Sequence, residues 1–153
     1  MTKKRALRIE LIRSKMADIE ESVRLVEANL PPSFEEFSEL GLVKDGIYKR
    51  MEFAIESIID ILSIINSDLR LSIPEDEEDV VENLGLNGIL TQNMVDKVRR
   101  MKGFRNIIVH RYGRIDDLLA YKILTENLED FGEFIESIEL FLEETLARTK
   151  KLD

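Results

Sequence analysis

Residues 45–69 read DGIYKRMEFAIESIIDILSIINSDL and carry the clearest apolar spacing in the chain. Their apolar side chains recur every three or four positions, which keeps them on one face of an α-helix. The residues on this face are Tyr48, Met51, Ile55, Ile58, Leu62, Ile65 and Leu69. The spacing predicts a long helix that begins near Asp45 as its N-cap and ends before Pro74.

Three further apolar stripes flank this segment. Residues 4–30 carry Leu7, Leu11, Met16, Ile19, Val23, Val26 and Leu30, and Pro31 then ends the helix. A third helix with Met94, Val98 and Met101 is predicted to begin after Thr91 as its N-cap. The last helix is predicted to begin near Asp116 or Asp117 and carries Leu124, Leu128, Phe131, Ile135, Ile138, Leu142 and Leu146.

Shorter segments connect these helices. Ser33 and Glu36 have the spacing of a capping box, which predicts a short helical piece up to Leu40. The acidic residues 75–82 are expected to form a loop and a short helix, because their charges repel one another. The chain has no alternating strand pattern. We therefore predict an all-α antiparallel bundle of about four main helices, forming a single domain over residues 1–153.

The composition excludes several kinds of site. The chain has no cysteine and one histidine, His110, which excludes a disulfide framework, a thiolate zinc site and a multi-histidine metal site within one chain. We expect no metal and no cofactor. The longest uncharged stretch, Asn83 to Val95, has 13 residues, whereas a membrane span needs about 20. The charged N-terminus does not resemble a signal peptide, so a cytoplasmic location without membrane contact is expected.

The charges are distributed unevenly. The net charge is −9, but residues 97–114, the basic segment, hold seven basic side chains and no acidic one. These side chains are Lys97, Arg99, Arg100, Lys102, Arg105, Arg111 and Arg114. Two interpretations are open: a solvated helix face that pairs with acidic neighbours, or a surface that binds an anion such as a nucleic acid.

Arg105 occupies an unusual position in the basic segment. On a straight helix it would share the apolar stripe of the third helix, where an unpaired guanidinium costs several kcal/mol. Arg105 must therefore meet an acid, with Asp60 or Glu56 as candidates, or a phosphate, or a wet cleft. His110 would lie roughly 140° around that helix from Arg105. The two could converge within one chain only if the helix bends or ends, with Gly113 as a possible C-terminal cap.

The segment around these residues, GFRNIIVHRYGRID from Gly103 to Asp116, resembles the R-x4-H-x-Y signature of the HEPN superfamily and most closely the HepT toxins. The resemblance spans roughly residues 44–144. It implies a metal-independent endoribonuclease that acts as a two-fold homodimer, with Arg105 and His110 in a cleft at the dimer interface. Asn106 matches the polar residue that accompanies the arginine.

The resemblance also implies a partner. HepT toxins are held in check by a nucleotidyltransferase antitoxin of the MNT type, and Tyr112 matches the tyrosine that such partners modify with AMP. Five other residues of the basic segment are predicted to contact RNA, namely Lys97, Arg100, Lys102, Arg111 and Arg114.

The residue types suit this chemistry. RNA carries its own nucleophile, the 2′-hydroxyl, so cleavage needs a base, an acid and a cation for the charged phosphorane. Histidine supplies acid or base near neutral pH, and arginine supplies planar donors for phosphate oxygens. One chain has a single histidine, whereas a two-fold dimer would bring two to one cleft.

A second function class is also open. The chain could be a non-catalytic HEPN-type interaction module that binds a nucleotidyltransferase or a nucleotide. In that case Arg105 would form a structural ion pair, His110 would interact with helix-terminal carbonyls, and Tyr112 would pack its ring and hydrogen-bond its hydroxyl.

Overall fold

A computed structural model describes residues 6–109 and 116–152. These residues form seven helices and no strand. The helices are α1 (Ile9–Asn29), α2 (Phe34–Ser38), α3 (Leu42–Asp68), α4 (Glu77–Leu86), α5 (Gln92–Val109), α6 (Asp117–Asn127) and α7 (Glu129–Leu152). Four of them, α1, α3, α5 and α7, are long, so the predicted all-α class with about four main helices is confirmed.

Helix α3 lies at the centre of the bundle. It contacts α1 along its length and also packs against α4 and α5, while α7 packs against α1. Adjacent residues of α3 such as Ile58 and Ile59, and Ile61 and Leu62, are all buried, so the helix is covered on more than one side. This burial explains why residues 45–69 are so strongly apolar.

Two predicted N-caps are present. The Ser33 hydroxyl accepts a hydrogen bond from the backbone N–H of Glu36 at 3.2 Å, and Thr91 Oγ1 accepts one from the N–H of Met94 at 3.1 Å. The cap predicted at Asp45 was wrong. Helix α3 begins at Leu42 after Gly41, whose φ of 60° lets the chain turn sharply from α2 into α3. Asp45 lies in the first turn instead, where an acid complements the helix dipole.

The predicted last helix is divided into α6 and α7. Asp116 caps α6 by accepting a hydrogen bond from the N–H of Leu119 at 3.0 Å, as its position indicated. Leu128 separates the two helices, although its backbone angles, φ −60° and ψ −30°, are still those of a right-handed helix. In the described parts of the chain, no helix has an apolar stretch long enough to cross a bilayer.

Candidate active site

Helix α5 carries the described part of the HEPN-like motif. Its buried face consists of Met94, Val95, Val98, Met101, Phe104 and Ile108, which pack into the bundle. Arg105 and Asn106 follow on its last turns: the Arg105 side chain is mostly buried, and Asn106 is exposed. The helix therefore presents the arginine at the boundary between core and solvent.

Arg105 meets an acid, as a guanidinium on an apolar stripe requires. Its Nη2 and Nη1 atoms donate to Glu77 Oε2 at 2.6 Å and Oε1 at 3.3 Å, and 17% of its side chain is exposed. The partner is not Asp60 or Glu56, the acids considered from the sequence. Asp60 pairs with Lys15 of α1 at 3.1 Å, whereas α4 packs directly against α5 and brings Glu77 to the arginine.

The other described cations of the basic segment are paired on two sides. Towards α4, Glu78 accepts from Arg99 Nε at 2.6 Å and from Lys102 Nζ at 3.4 Å. Towards α7, Lys97 pairs with Glu133 and, at 3.6 Å, with Asp130. Arg100 lies 3.7 Å from Asp130 and is 60% exposed. Acidic neighbours therefore neutralise much of the charge on α5.

Several predicted site residues lie outside the described residues. These are His110, Arg111, Tyr112 and Arg114, together with the predicted cap Gly113. Their convergence with Arg105 stays a prediction. Of the predicted site, the structure places Arg105 and Asn106 on one helix end, and Lys97, Arg100 and Lys102 earlier on the same helix.

Asp117, which the sequence indicated only as a possible helix start, is a hydrogen-bonded carboxylate just after the motif. Asp117, the first residue of α6, accepts hydrogen bonds from Lys44 Nζ at 2.8 Å and from the Tyr48 hydroxyl at 2.5 Å. Partial burial would raise the pKa of Asp117, but the two hydrogen bonds and the charge of Lys44 outweigh it and hold the pKa below its ordinary value. These hydrogen bonds attach the start of α6, which follows the motif, to α3.

An apolar cavity of about 290 Å³ lies between α5, α6 and α7. Its walls include Met101, Phe104, Ile107 and Phe131, and Arg105 does not line it. Nowhere in residues 6–109 and 116–152 do three potential metal ligands cluster.

The whole central part of the chain matches a known family. Residues 19–138 match the model described as Ribonuclease HepT-like. This chain belongs to the HepT-like ribonuclease family. The resemblance predicted from the motif is thus confirmed, and the matched region of this HepT-like protein contains the motif together with α3, α4, α5 and α6.

Curated relatives point to the same family. The HepT-like protein is 28% identical over 129 residues to the mRNA nuclease HepT of Shewanella oneidensis, covering 84% of this chain and 96% of the relative. It is 32% identical over 98 residues to a putative RNase of Archaeoglobus fulgidus, covering 64% of this chain and 74% of that one.

Solved structures share the fold. The tri-AMPylated Shewanella oneidensis HEPN toxin in complex with MNT antitoxin superposes with a TM-score of 0.77 at 28% identity, covering 85% of this HepT-like chain and 97% of the toxin. The cytosolic protein YutE of Bacillus subtilis gives a TM-score of 0.77 at 16% identity over 92% of this chain and 94% of its own, a likeness of fold alone.

Proposed function

We propose that this HepT-like protein is a cytoplasmic endoribonuclease toxin that cleaves RNA without a metal in a cleft between two identical subunits. One observation carries the proposal: a mostly buried arginine near the end of α5, five residues before the single histidine, inside the region that matches the family. Arg105, Asn106 and His110 form the proposed active site. The family relatives described as nucleases support the activity.

The proposed reaction uses the 2′-hydroxyl of RNA as its nucleophile. The 2′-oxygen bonds to phosphorus, the P–O5′ bond breaks, and the products are a 2′,3′-cyclic phosphate and a 5′-hydroxyl. His110 of one subunit takes the 2′ proton, and His110 of the partner subunit gives a proton to the leaving 5′-oxygen. Arg105 from each subunit stabilises the extra negative charge of the phosphorane.

RNA would reach this cleft along the basic segment. Arg100 is the most exposed of the described cations in the proposed RNA-binding set and has only a long contact to Asp130. Lys97 and Lys102 would exchange carboxylate partners for RNA phosphates, and Arg111 and Arg114 complete the set. Lys97 and Lys102 are 13% and 15% exposed, whereas their partners Glu133 and Glu78 are 46% and 43% exposed, so the exchange would take place on the exposed side of each pair.

The partner in this proposal is a nucleotidyltransferase of the MNT type. AMP attached to Tyr112 would add bulk and negative charge two residues from His110, which would block the cleft and repel a phosphate. The AMPylated state of the Shewanella oneidensis toxin supports this form of control.

The test of the activity is incubation of the purified protein with RNA in EDTA. The wild type is expected to cut RNA and leave 2′,3′-cyclic phosphate ends. The variants His110→Ala and Arg105→Ala are each expected to lose about 100-fold or more in kcat/KM. Arg99→Ala is the control, since it removes an arginine of the same helix that has no proposed role at the site.

The test of the regulation adds the partner with ATP and Mg²⁺. Cleavage is expected to stop as the mass of the peptide containing Tyr112 rises by one or more AMP groups, and Tyr112→Phe is expected to escape modification. Loss of cleavage without a change in mass would contradict modification and favour inhibition by binding.

One observation favours the second function, the non-catalytic interaction module. Arg105 and its neighbours on α5 are already paired with carboxylates, as they would be if their role were only structural. If the wild type leaves RNA intact, while both alanine variants fold and bind the nucleotidyltransferase normally, the module is the correct function.

A further inference from the structure

The guanidinium of Arg105 has two edges that can each hold a pair of oxygen atoms. One edge consists of Nη1 and Nη2, and the other includes Nε. Glu77 occupies the Nη1–Nη2 edge with both carboxylate oxygens. Among the described residues, no hydrogen bond uses Nε of Arg105. The second edge is therefore the one left for an RNA phosphate.

Glu77 is itself held in place by the start of α4. The Asp76 side chain caps this helix by accepting from the N–H of Asp79 at 2.9 Å, and the Asp79 carboxylate accepts from the N–H of Glu75 at 2.9 Å. A carboxylate in the first turn is stabilised by the positive end of the helix dipole. Glu77 thus approaches Arg105 from an ordered helix start.

The far end of α4 is also anchored. The Asn83 amide donates to Asn66 Oδ1 of α3 at 3.0 Å and to the Ser72 carbonyl at 2.8 Å. The buried residues Val80, Val81 and Leu84 fix the rest of the helix against the core. The distance between Glu77 and the end of α5 is therefore set by packing and not by one flexible side chain.

We infer that Glu77 is a positioning residue for Arg105. By holding the Nη1–Nη2 edge, it stops the guanidinium from rotating and leaves the Nε edge towards the scissile phosphate. The inference rests on the proposed ribonuclease function and adds a residue to that site from a different helix. Arg105 touches the phosphate, whereas Glu77 acts only through Arg105.

The test compares Glu77→Gln with Glu78→Gln. Both are glutamates of the first turn of α4, both are 43% exposed, and both pair with cations of α5. Each substitution removes one negative charge from the same surface, so long-range effects on RNA binding and on KM are expected to be alike. Glu77→Gln is expected to lower kcat about tenfold or more through loss of orientation. Glu78→Gln is expected to keep kcat within about twofold.

A second measurement separates positioning from general damage. Lysine cannot hold a carboxylate on two N–H groups in one plane, so Arg105→Lys removes the interaction through which Glu77 acts. In that variant, adding Glu77→Gln is expected to lower kcat by less than about twofold. Glu77→Asp, which keeps the charge but shortens the reach, is expected to give a kcat between those of the wild type and Glu77→Gln. Thermal unfolding of each variant checks that it folds.

The outcomes have separate meanings. An active wild type whose kcat is unchanged by Glu77→Gln, or lowered equally by Glu78→Gln, would overturn the role of Glu77 and leave the ribonuclease function standing. Full additivity in the Arg105→Lys variant would also overturn it. A folded wild type that never cuts RNA would overturn the proposed function and this inference with it.

Discussion

Asp117 connects the end of the motif region to the central helix through two side chains of α3. Its carboxylate holds Lys44 and the hydroxyl of Tyr48, a residue that is otherwise buried in the core. If the buried Tyr48 hydroxyl lost this acceptor, no hydrogen bond would offset the free-energy cost of removing the hydroxyl from water. The first turn of α6 is thus held by polar contacts, which the spacing of apolar residues does not predict.

The pH dependence of this contact can be measured. We expect Asp117→Asn to lower the free energy of unfolding by about 1 to 2 kcal/mol at neutral pH. Because the pKa of Asp117 is lower in the folded state than its ordinary value of 3.8, its ionised form stabilises the fold above that pH. The contribution is lost as the pH falls through the lowered value. The difference between wild type and variant should therefore shrink in urea titrations below pH 3.8.

Asp116→Asn is the matched control for this prediction. It removes a charge from the neighbouring residue, which is exposed, and asparagine caps a helix about as well as aspartate does. Its effect on stability should be small at either pH. A loss equal to that of Asp117→Asn would contradict a specific role for the contact with Lys44 and Tyr48.

The need for an acid beside Arg105 could be predicted from the sequence, but its identity could not. Helical periodicity places Arg105 on an apolar stripe, and the physics of a buried charge then requires a partner. The partner, Glu77, is 28 residues away on another helix. Such a pairing depends on how α4 packs against α5, which spacing along one helix does not encode.

At the scale of the helices, apolar periodicity predicts that a helix exists better than it predicts where that helix begins and ends. The stripes found α1, α3, α5 and the α6–α7 region, because each buries one face or more in the same core. Apolar periodicity missed the break at Leu128, since a residue with helical backbone angles leaves the spacing of the stripe nearly unchanged. It also placed the start of α3 too late, because Leu42 and Val43 in its first turn are exposed.

Helix α7 offers a direct test of which face is buried. Leu142 is fully buried and Leu140, two residues earlier on the same helix, is 57% exposed. We expect Leu142→Ala to lower the free energy of unfolding by about 2 to 5 kcal/mol, because it leaves a cavity. The same change at Leu140 should stay within about 0.5 kcal/mol. Urea unfolding at low protein concentration measures both, and equal losses would contradict the assigned orientation of α7.

At the scale of the whole molecule, a two-fold dimer is the feature on which the proposed chemistry depends. One hydrophobic core joins side chains from α1 through α7. Because each chain has a single histidine, a pair of histidines serving as acid and base would come from two copies, whereas one histidine with water would need only one. Sequence and family together led to this expectation, and neither specifies the surface through which the copies would meet.

Sedimentation equilibrium can test the assembly. We expect a mass of twice the 17.8 kDa of one chain at the concentrations at which RNA is cleaved. His110→Ala should keep the same mass, because the substitution is meant to remove chemistry and not association. A mass of 17.8 kDa in an active sample would exclude a site shared between subunits.

The contact between Arg8 and Asp68 bears on the order in which the helices can pack during synthesis of the chain. The buried Asp68 carboxylate accepts from the backbone N–H of Arg8 at 3.0 Å and from its guanidinium, which joins the segment before α1 to the end of α3. Both partners, and the whole of the α1–α3 contact, belong to the N-terminal half of the chain. This pair of helices therefore leaves the ribosome before α5, and with it Arg105, does.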